Sequence, residues 1–591
     1  MVFVFFLSLT LLLGAVWFLS AFNDLSLYEI IYHLKMPSDG MDTHLVWDFV
    51  FKCVIPSAVA AVLLAIILHF IGKKHEIKKW RYRLISGIVS LVFLISSFAV
   101  LDNGLGLIAY ATQSSSDFIE KHYVDPAAVD MTFPEQKRNL IFIYLESMEI
   151  TFADKENGGA FDKNVIPHLT DIALENECFS EKGLSGGVSL PATTWTMGGM
   201  CAQTAGLPLK IPVYNTYMDT QGSFFNSVTA LGDILEENGY TNEIMMGSDS
   251  VFGGRRMYFT EHGDYRIFDF FTAYSSGMIH NKVFWGFEDH MLFEFSRKEL
   301  KKLYEEGKPF NYTMLTVDTH FEDGHKCALC SDDFEDGYSN VYACSDRQIA
   351  GFLEWLKKQP FYENTTVILS GDHPTMDTDY CNGIDSNYQR RTYTAVINAP
   401  KEYNGKTRYY STLDMFPTTL SALGVQIEGD RLGLGTDLYS DTPTLLEEYG
   451  LEYLAGEFNK NSDFMDGLCD FSINDALAKR MYQENGIVAV DTEEGYLIIY
   501  ALRFDISAMP DFERLEADVT CNGTTQTVVL DDFEESSLNY KAGKKVFKGA
   551  DKDDLLIEIY LISKDGSRMI VGSSEYDPFS DMKTPYDDIA S

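Results

Sequence analysis

Four short stretches carry side chains suited to metal-assisted chemistry. They are Glu146 in "YLESME", Asp318 and His320 in "LTVDTH", Asp372 and His373 in "SGDH", and Thr193, Thr194 and Thr196 in "PATTWT". Carboxylate, imidazole and hydroxyl together suit Mn2+, Zn2+ or Mg2+. A threonine hydroxyl is a poor nucleophile at neutral pH, and a metal ion that lowers its pKa makes it a good one. Singly, each motif is weak. A glutamate after a strand is most often a cap or a surface group, and threonines at a helix start most often cap it.

These groups can cooperate only if the fold gathers them. Each acid-bearing stretch ends a short apolar run: "NLIFIYL" from Asn139, "FNYTMLTV" from Phe310 and "TTVILSG" from Thr365. Apolar runs bounded by polar residues predict strands buried on both faces, as in a parallel sheet. Helical patterns such as "SVTALGDILEENGY" and "SDRQIAGFLEWLKK" lie between them. Strands alternating with helices predict an α/β domain. In open α/β sheets ligands sit beyond the carboxyl ends of the strands, where Glu146, Asp318, His320, Asp372 and His373 fall. "PATTWTMGGMCAQTAG" predicts a helix beginning near Pro191, since proline is tolerated in a first turn. Its N-terminus would favour an incoming phosphate.

The chain has 591 residues and a net charge of −40. That balance excludes a nucleic-acid partner, which needs a basic footprint. Three runs, from Met1, Cys53 and Leu84, are nearly free of charge and close to the ~20 residues a membrane helix needs. "KKHEIKKWRYR", between the second and third, holds six Lys/Arg and one Glu, whereas Asp24 to Asp48 holds one Lys and five acids. The positive-inside tendency puts the basic loop in the cytoplasm and everything after about residue 110 outside it.

The expected organisation is therefore a three-helix transmembrane region (1–110), a linker (111–138), a catalytic domain (139–450), a connecting segment (451–485) and a small β-rich domain (486–591). Cys327, Cys330, Cys344 and Cys381 fall in one stretch of the outer part, and four cysteines allow three pairings. Disulfides are the expectation in an oxidising exterior, with a four-thiolate zinc site as the alternative.

Several of these stretches resemble one family in its own order. "YLESME", "GVSLPATTWTMGGMCAQTAGLPL", "LTVDTHFEDG", "YACSDRQI", "SGDHPTMD", "STLDMFPTTLSALG" and "RLGLGTDLYSDTPTL" are similar to the sulfatase-like phosphoglycerol transferases, which include lipoteichoic acid synthase and the transferase that decorates periplasmic glucans. The resemblance spans about residues 139 to 445. It implies an alkaline-phosphatase/sulfatase-like α/β fold and one divalent cation, commonly Mn2+, with Mg2+ or Zn2+ as alternatives.

By position it implies Glu146, Thr193, Asp372 and His373 as metal ligands and Thr193 as the catalytic nucleophile. His320 would bind the substrate phosphate and Arg255, in "FGGRR", the glycerol phosphate. Lipoteichoic acid synthase carries a tryptophan two positions before its arginine, where this chain has Gly253. The implied activity moves glycerol phosphate from phosphatidylglycerol to a glycan or teichoic-acid acceptor through a covalent intermediate on threonine, at the outer face of the membrane. The alternatives are a phosphoethanolamine transferase of the same fold or a silent lipid- or glycan-binding ectodomain. True sulfatases need C/S-x-P-x-R, and Ser189-Leu190-Pro191-Ala192-Thr193 lacks the arginine, so sulfatase activity is not expected.

Overall fold

The three expected strands are neighbours at the centre of one sheet. In the computed structural model, β1 (Asn139–Leu145), β2 (Thr241–Met246), β3 (Arg266–Phe268), β4 (Phe310–Leu315), β5 (Thr365–Gly371) and β6 (Thr394–Ile397) lie in the order β3-β2-β4-β1-β5-β6. The first five strands in that order are parallel. β6 runs antiparallel to β5, so the expected parallel sheet is mixed at one edge. The structure describes residues 2–21, 27–35, 43–74, 79–211, 225, 227–377 and 379–468, and segments of 487–573.

β1 shows why these runs are mostly apolar. All seven of its residues are buried. Leu140, Phe142 and Tyr144 enter one core, while Ile141, Ile143 and Leu145 enter the other. Side chains alternate across a strand, so a sheet covered on both faces needs apolar residues at every position.

Before the sheet come α1 (Val2–Ala21), α2 (Leu27–Lys35), α3 (Ile55–Lys74) and α4 (Lys79–Leu105). Three segments, Val2–Ser20, Val46–Phe70 and Leu84–Leu105, are long and apolar enough to cross a membrane. The stretch expected to be a linker holds a short helix, Phe118–His122, and buries Phe118 and Ile119 in the first core. After the sheet, Leu454, Phe458 and Met465 close the same core.

The later helices that matter for the site are α5 (Thr196–Ala205), α6 (Arg255–Glu261), α7 (Asp289–Glu306) and α8 (Gly337–Leu356). α5 differs from expectation: it begins at Thr196, not near Pro191. Ala192 sits at φ +66°, a left-handed turn that a helix cannot contain. The helix ends on Gly206 at φ 64°, the left-handed position glycine takes without strain.

From residue 487 the described residues form seven antiparallel strands, Ile487–Glu493, Tyr496–Leu502, Phe512–Cys521, Thr524–Glu534, Asn539–Ala542, Leu555–Ser563 and Arg568–Ser573. Leu515, Ala517 and Val519 alternate inward on one strand, as do Ile557, Ile559 and Leu561 on its neighbour. That period of two is the pattern of a sheet with one packed face. The β-rich character expected for this part of the chain is found. Residues 469–486 of the expected connecting segment lie outside the described residues.

Candidate metal and nucleophile site

β1 ends at Leu145 and β5 at Gly371, side by side and parallel, so the residues that follow them meet. One ligand atom from each of Glu146, Asp372 and His373 lies within 4.8 Å of the other two, and all three side chains are buried. His373 Nε2 is 3.4 Å from Glu146 Oε1 and 3.4 Å from Asp372 Oδ2. Backbone contacts fix the carboxylates: Ser147 N–H and His373 N–H each donate to Asp372 Oδ1 at 2.8 Å. Ser147 Oγ donates to Glu146 Oε1 at 2.9 Å. The His373 ring places Nδ1 2.8 Å from the Pro374 carbonyl. That contact holds the proton on Nδ1 and leaves the Nε2 lone pair for a cation.

The set fits a divalent cation. Asp372 Oδ2 is buried without a hydrogen-bond partner. Burial, and then the Glu146 charge, push the Asp372 carboxyl up to about 8. Burial opposes charge on His373, yet Asp372 and Glu146 raise it to about 10. Burial would also raise Glu146, but the hydrogen bond from His373 and the charge of His320 hold it down to about 2. Two buried carboxylates that draw a proton onto an imidazole are a site demanding positive charge, which a metal ion supplies in the proton's place.

The three threonines separate cleanly. Thr193 is fully buried, and its hydroxyl donates to the Leu190 carbonyl at 2.9 Å. Its other hydroxyl contact is Thr412 Oγ1, at 3.5 Å. Thr194 Oγ1 is buried with no hydrogen-bond partner. Thr196 Oγ1 donates to Glu146 Oε2 at 3.3 Å and lies 3.5 Å from His373 Nε2. The structure therefore brings Thr196, not Thr193, against the acid and histidine cluster. None of the three caps α5, because its N-cap is Trp195 and makes no side-chain capping bond.

Sequence position could not show this. The four residues between Pro191 and Thr196 precede the helix, with Ala192 in a left-handed turn, which aims a different hydroxyl into the site than a helix starting at Pro191 would. The tightness of α5 against β5 comes from glycine: a Cβ on Gly199 would sit 2.1 Å from the Asp372 carbonyl oxygen.

His320 follows β4, and its Nδ1 lies 2.8 Å from the Phe321 carbonyl, leaving Nε2 for a ligand. Burial lowers its basicity, partly offset by the Glu146 charge. Arg255 opens α6 with 5 % exposure. One guanidinium nitrogen donates to the Asp249 carbonyl at 2.7 Å, and Nε is buried without a partner. Burial lowers the Arg255 pKa, while Asp249 and Glu146 act to raise it. Asp318, the remaining strand-end acid, is buried near Asp289 and is not in the metal-type group with Glu146.

Aromatic residues that the sequence did not flag line this end of the sheet. The Trp285 ring lies 4.6 Å from His320 and 5.2 Å from Phe252, and Phe252 is 5.6 Å from the Arg255 guanidinium. Where the resemblance left Gly253 in place of a tryptophan, Phe252 and Trp285 supply aromatic surface. Tyr32, from α2 between the first two membrane-type helices, is fully buried 5.5 Å from Trp195. Its hydroxyl donates to the Gly253 carbonyl.

Residues 138–425 match the family model described as Sulfatase. This part of the chain is similar to the sulfatase family. A phosphoglycerol transferase I of Escherichia fergusonii is 30% identical over 340 residues, covering 56% of this chain and 42% of that protein. One of Citrobacter koseri is 28% identical over 402 residues, covering 65% and 50%. The chain thus spans about half the length of the curated relatives it matches. Among solved structures, the lipoteichoic acid synthase LtaP from Listeria monocytogenes aligns with 18% identity and a TM-score of 0.40, over 53% of this chain and 79% of that one. The matched stretch takes in β1 to β6, and with them Glu146, Thr196, Arg255, His320, Asp372 and His373.

Proposed function

We propose that this chain is a membrane-tethered phosphotransferase that moves glycerol phosphate from phosphatidylglycerol to a glycan or teichoic-acid hydroxyl, with Thr196 as the nucleophile. The observation that carries the reading is the Thr196 hydroxyl, 3.3 Å from Glu146 in a cluster suited to a cation. The named relatives, phosphoglycerol transferases, supply the substrate class.

Glu146, Asp372 and His373 would hold one divalent cation, Mn2+ by the resemblance. When bound, it supplies Lewis-acid charge that lowers the Thr196 pKa and neutralises the phosphate. Thr196 Oγ1 attacks phosphorus, and the bond from phosphorus to the diacylglycerol oxygen breaks. The threonine proton ends on that leaving oxygen, so that diacylglycerol departs as the alcohol. Arg255 and His320 neutralise the phosphate oxygens as charge builds. An acceptor hydroxyl then attacks the phosphothreonine ester, gives up its proton and restores Thr196. Dividing one displacement into two lowers each barrier.

The membrane-type helices would keep the site beside the bilayer that holds the donor, raising its effective concentration. The basic loop between the second and third helices would lie in the cytoplasm and the sulfatase-like stretch outside it. Tyr32 fits this arrangement, since it links the loop between the first two helices to the site.

The test is diacylglycerol release from phosphatidylglycerol vesicles containing Mn2+, with the full chain in detergent or liposomes. Release is expected, together with a glycerol phosphate adduct on the Thr196 peptide by mass spectrometry. Faster release from phosphatidylethanolamine would reassign the head group. Metal binding with no turnover of either lipid would overturn the enzyme reading in favour of a silent receptor.

A further inference from the structure

The loop that carries His320 runs on into a second cluster of metal-type ligands. Cys327, Cys330 and Cys344 place their sulfurs within 4.8 Å of one another. Cys327 Sγ lies 3.7 Å from Cys330 Sγ and 3.7 Å from Cys344 Sγ. Sulfurs joined in a disulfide are about 2.0 Å apart. Two thiolates on one tetrahedral zinc, each about 2.3 Å from the ion, are about 3.8 Å apart.

Donors aim at two of the three sulfurs. The Leu329 N–H donates to Cys327 Sγ at 3.4 Å, and the Cys330 N–H closes the turn on the Cys327 carbonyl at 3.1 Å. Gln348 Nε2 donates to Cys344 Sγ at 3.4 Å. Close by, Asp318 has both carboxylate oxygens buried without a hydrogen-bond partner, and it lies within electrostatic reach of Cys327. Three thiolates at these distances need a cation. One disulfide would satisfy two of the three sulfurs and leave the third against it.

We propose that Cys327, Cys330 and Cys344 bind one Zn2+ as thiolates, at a site separate from Glu146, Asp372 and His373. Soft sulfur ligands select zinc over the harder cations that carboxylates prefer. Cys381, grouped with these residues by sequence, is not part of the three-sulfur group among the described residues. Cys330 is half-buried, so its side of the site is open to solvent for a fourth ligand. Binding expels the thiol protons.

The site joins two elements. Cys327 and Cys330 belong to the loop after β4, and Cys344 to α8. The near end of that loop is already held: Tyr338 Oη on α8 donates to the Thr319 carbonyl at 2.6 Å, and Thr319 Oγ1 to the Glu146 carbonyl at 2.7 Å. Zinc would fix the far end and so the placing of His320.

The experiment uses the full chain purified in detergent with zinc present and free metal removed. Elemental analysis should find a zinc equivalent that survives in Glu146→Gln and is lost in Cys330→Ser and Cys344→Ser. Cys330→Ser is the informative variant, because a half-exposed serine is tolerated. Cobalt exchanged into the wild type and Glu146→Gln should give a sulfur-to-cobalt charge-transfer absorption, absent in Cys330→Ser. Zinc content unchanged in both cysteine variants would overturn the site. So would alkylation of Cys327 that requires prior reduction in the freshly purified protein, since that shows a disulfide.

Discussion

Replacing Thr196 and Thr193 by valine, one at a time, separates chemistry from packing. Valine keeps the shape of threonine and removes the hydroxyl. At Thr196 the lost group is the one 3.3 Å from Glu146 and 3.5 Å from His373. Removing a nucleophile costs on the order of 10^4 or more in kcat, roughly 5.5 kcal/mol of barrier. At Thr193 the loss is structural. The Leu190 carbonyl keeps a second donor, the Thr193 backbone N–H at 3.0 Å, so no acceptor is orphaned. The remaining loss is the hydroxyl's bond to Leu190 and the long 3.5 Å bond it accepts from Thr412 Oγ1, together about 1–2 kcal/mol, and a melting temperature lower by a few degrees.

The assay is manganese-dependent diacylglycerol release from phosphatidylglycerol vesicles, read beside thermal unfolding. Thr196→Val should be folded and inactive, and Thr193→Val active within about threefold of wild type. Thr196→Ser should restore part of the rate, because serine keeps the attacking oxygen. A folded Thr193→Val that is inactive beside an active Thr196→Val would refute the assignment.

Other outcomes follow from the same geometry. Gly199→Ala forces a Cβ toward the Asp372 carbonyl and should push α5 off β5; moving Thr196 by ~1 Å costs about 10^2 in kcat with little change in KM. Chelation of the wild type should abolish turnover and Mn2+ should restore it, whereas Glu146→Gln should not recover at any moderate metal concentration; full activity of the chelated protein would remove the metal from the mechanism. Tyr32→Phe loses the bond to the Gly253 carbonyl beside Arg255 and should raise KM for the lipid more than it lowers kcat, by steady-state assay.

Burial, then the charge of Glu299, raises Glu243; burial, opposed by Lys302 and Arg266, raises Glu299 to about 7 from 4.5. The fold therefore binds protons that the unfolded chain releases. This contribution is complete below pH 4.5 and is lost as pH rises to about 7, up to ~3 kcal/mol. Glu243→Gln should melt higher than wild type at pH 8 and show no such gain at pH 4.5, by unfolding across that range; equal melting at pH 8 would contradict the coupling.

The sequence by itself determined which strands are central and what stands at their ends. "NLIFIYL", "FNYTML" and "TTVILSG" are buried at every position and mostly apolar, because both faces of β1, β4 and β5 are covered. Glu146, His320, Asp372 and His373 follow those strands directly, so chain direction alone carried them to one rim. The membrane-type helices were equally legible, since each is a single local run.

Local sequence could not choose among three threonines within four positions. That choice depends on the left-handed turn at Ala192, on where α5 begins and on how close Gly199 lets it approach β5. Nor could it place Trp285 and Tyr32 at the site or bring Cys327 and Cys330 to Cys344. Those contacts join residues far apart in the chain, and only tertiary packing sets their distances.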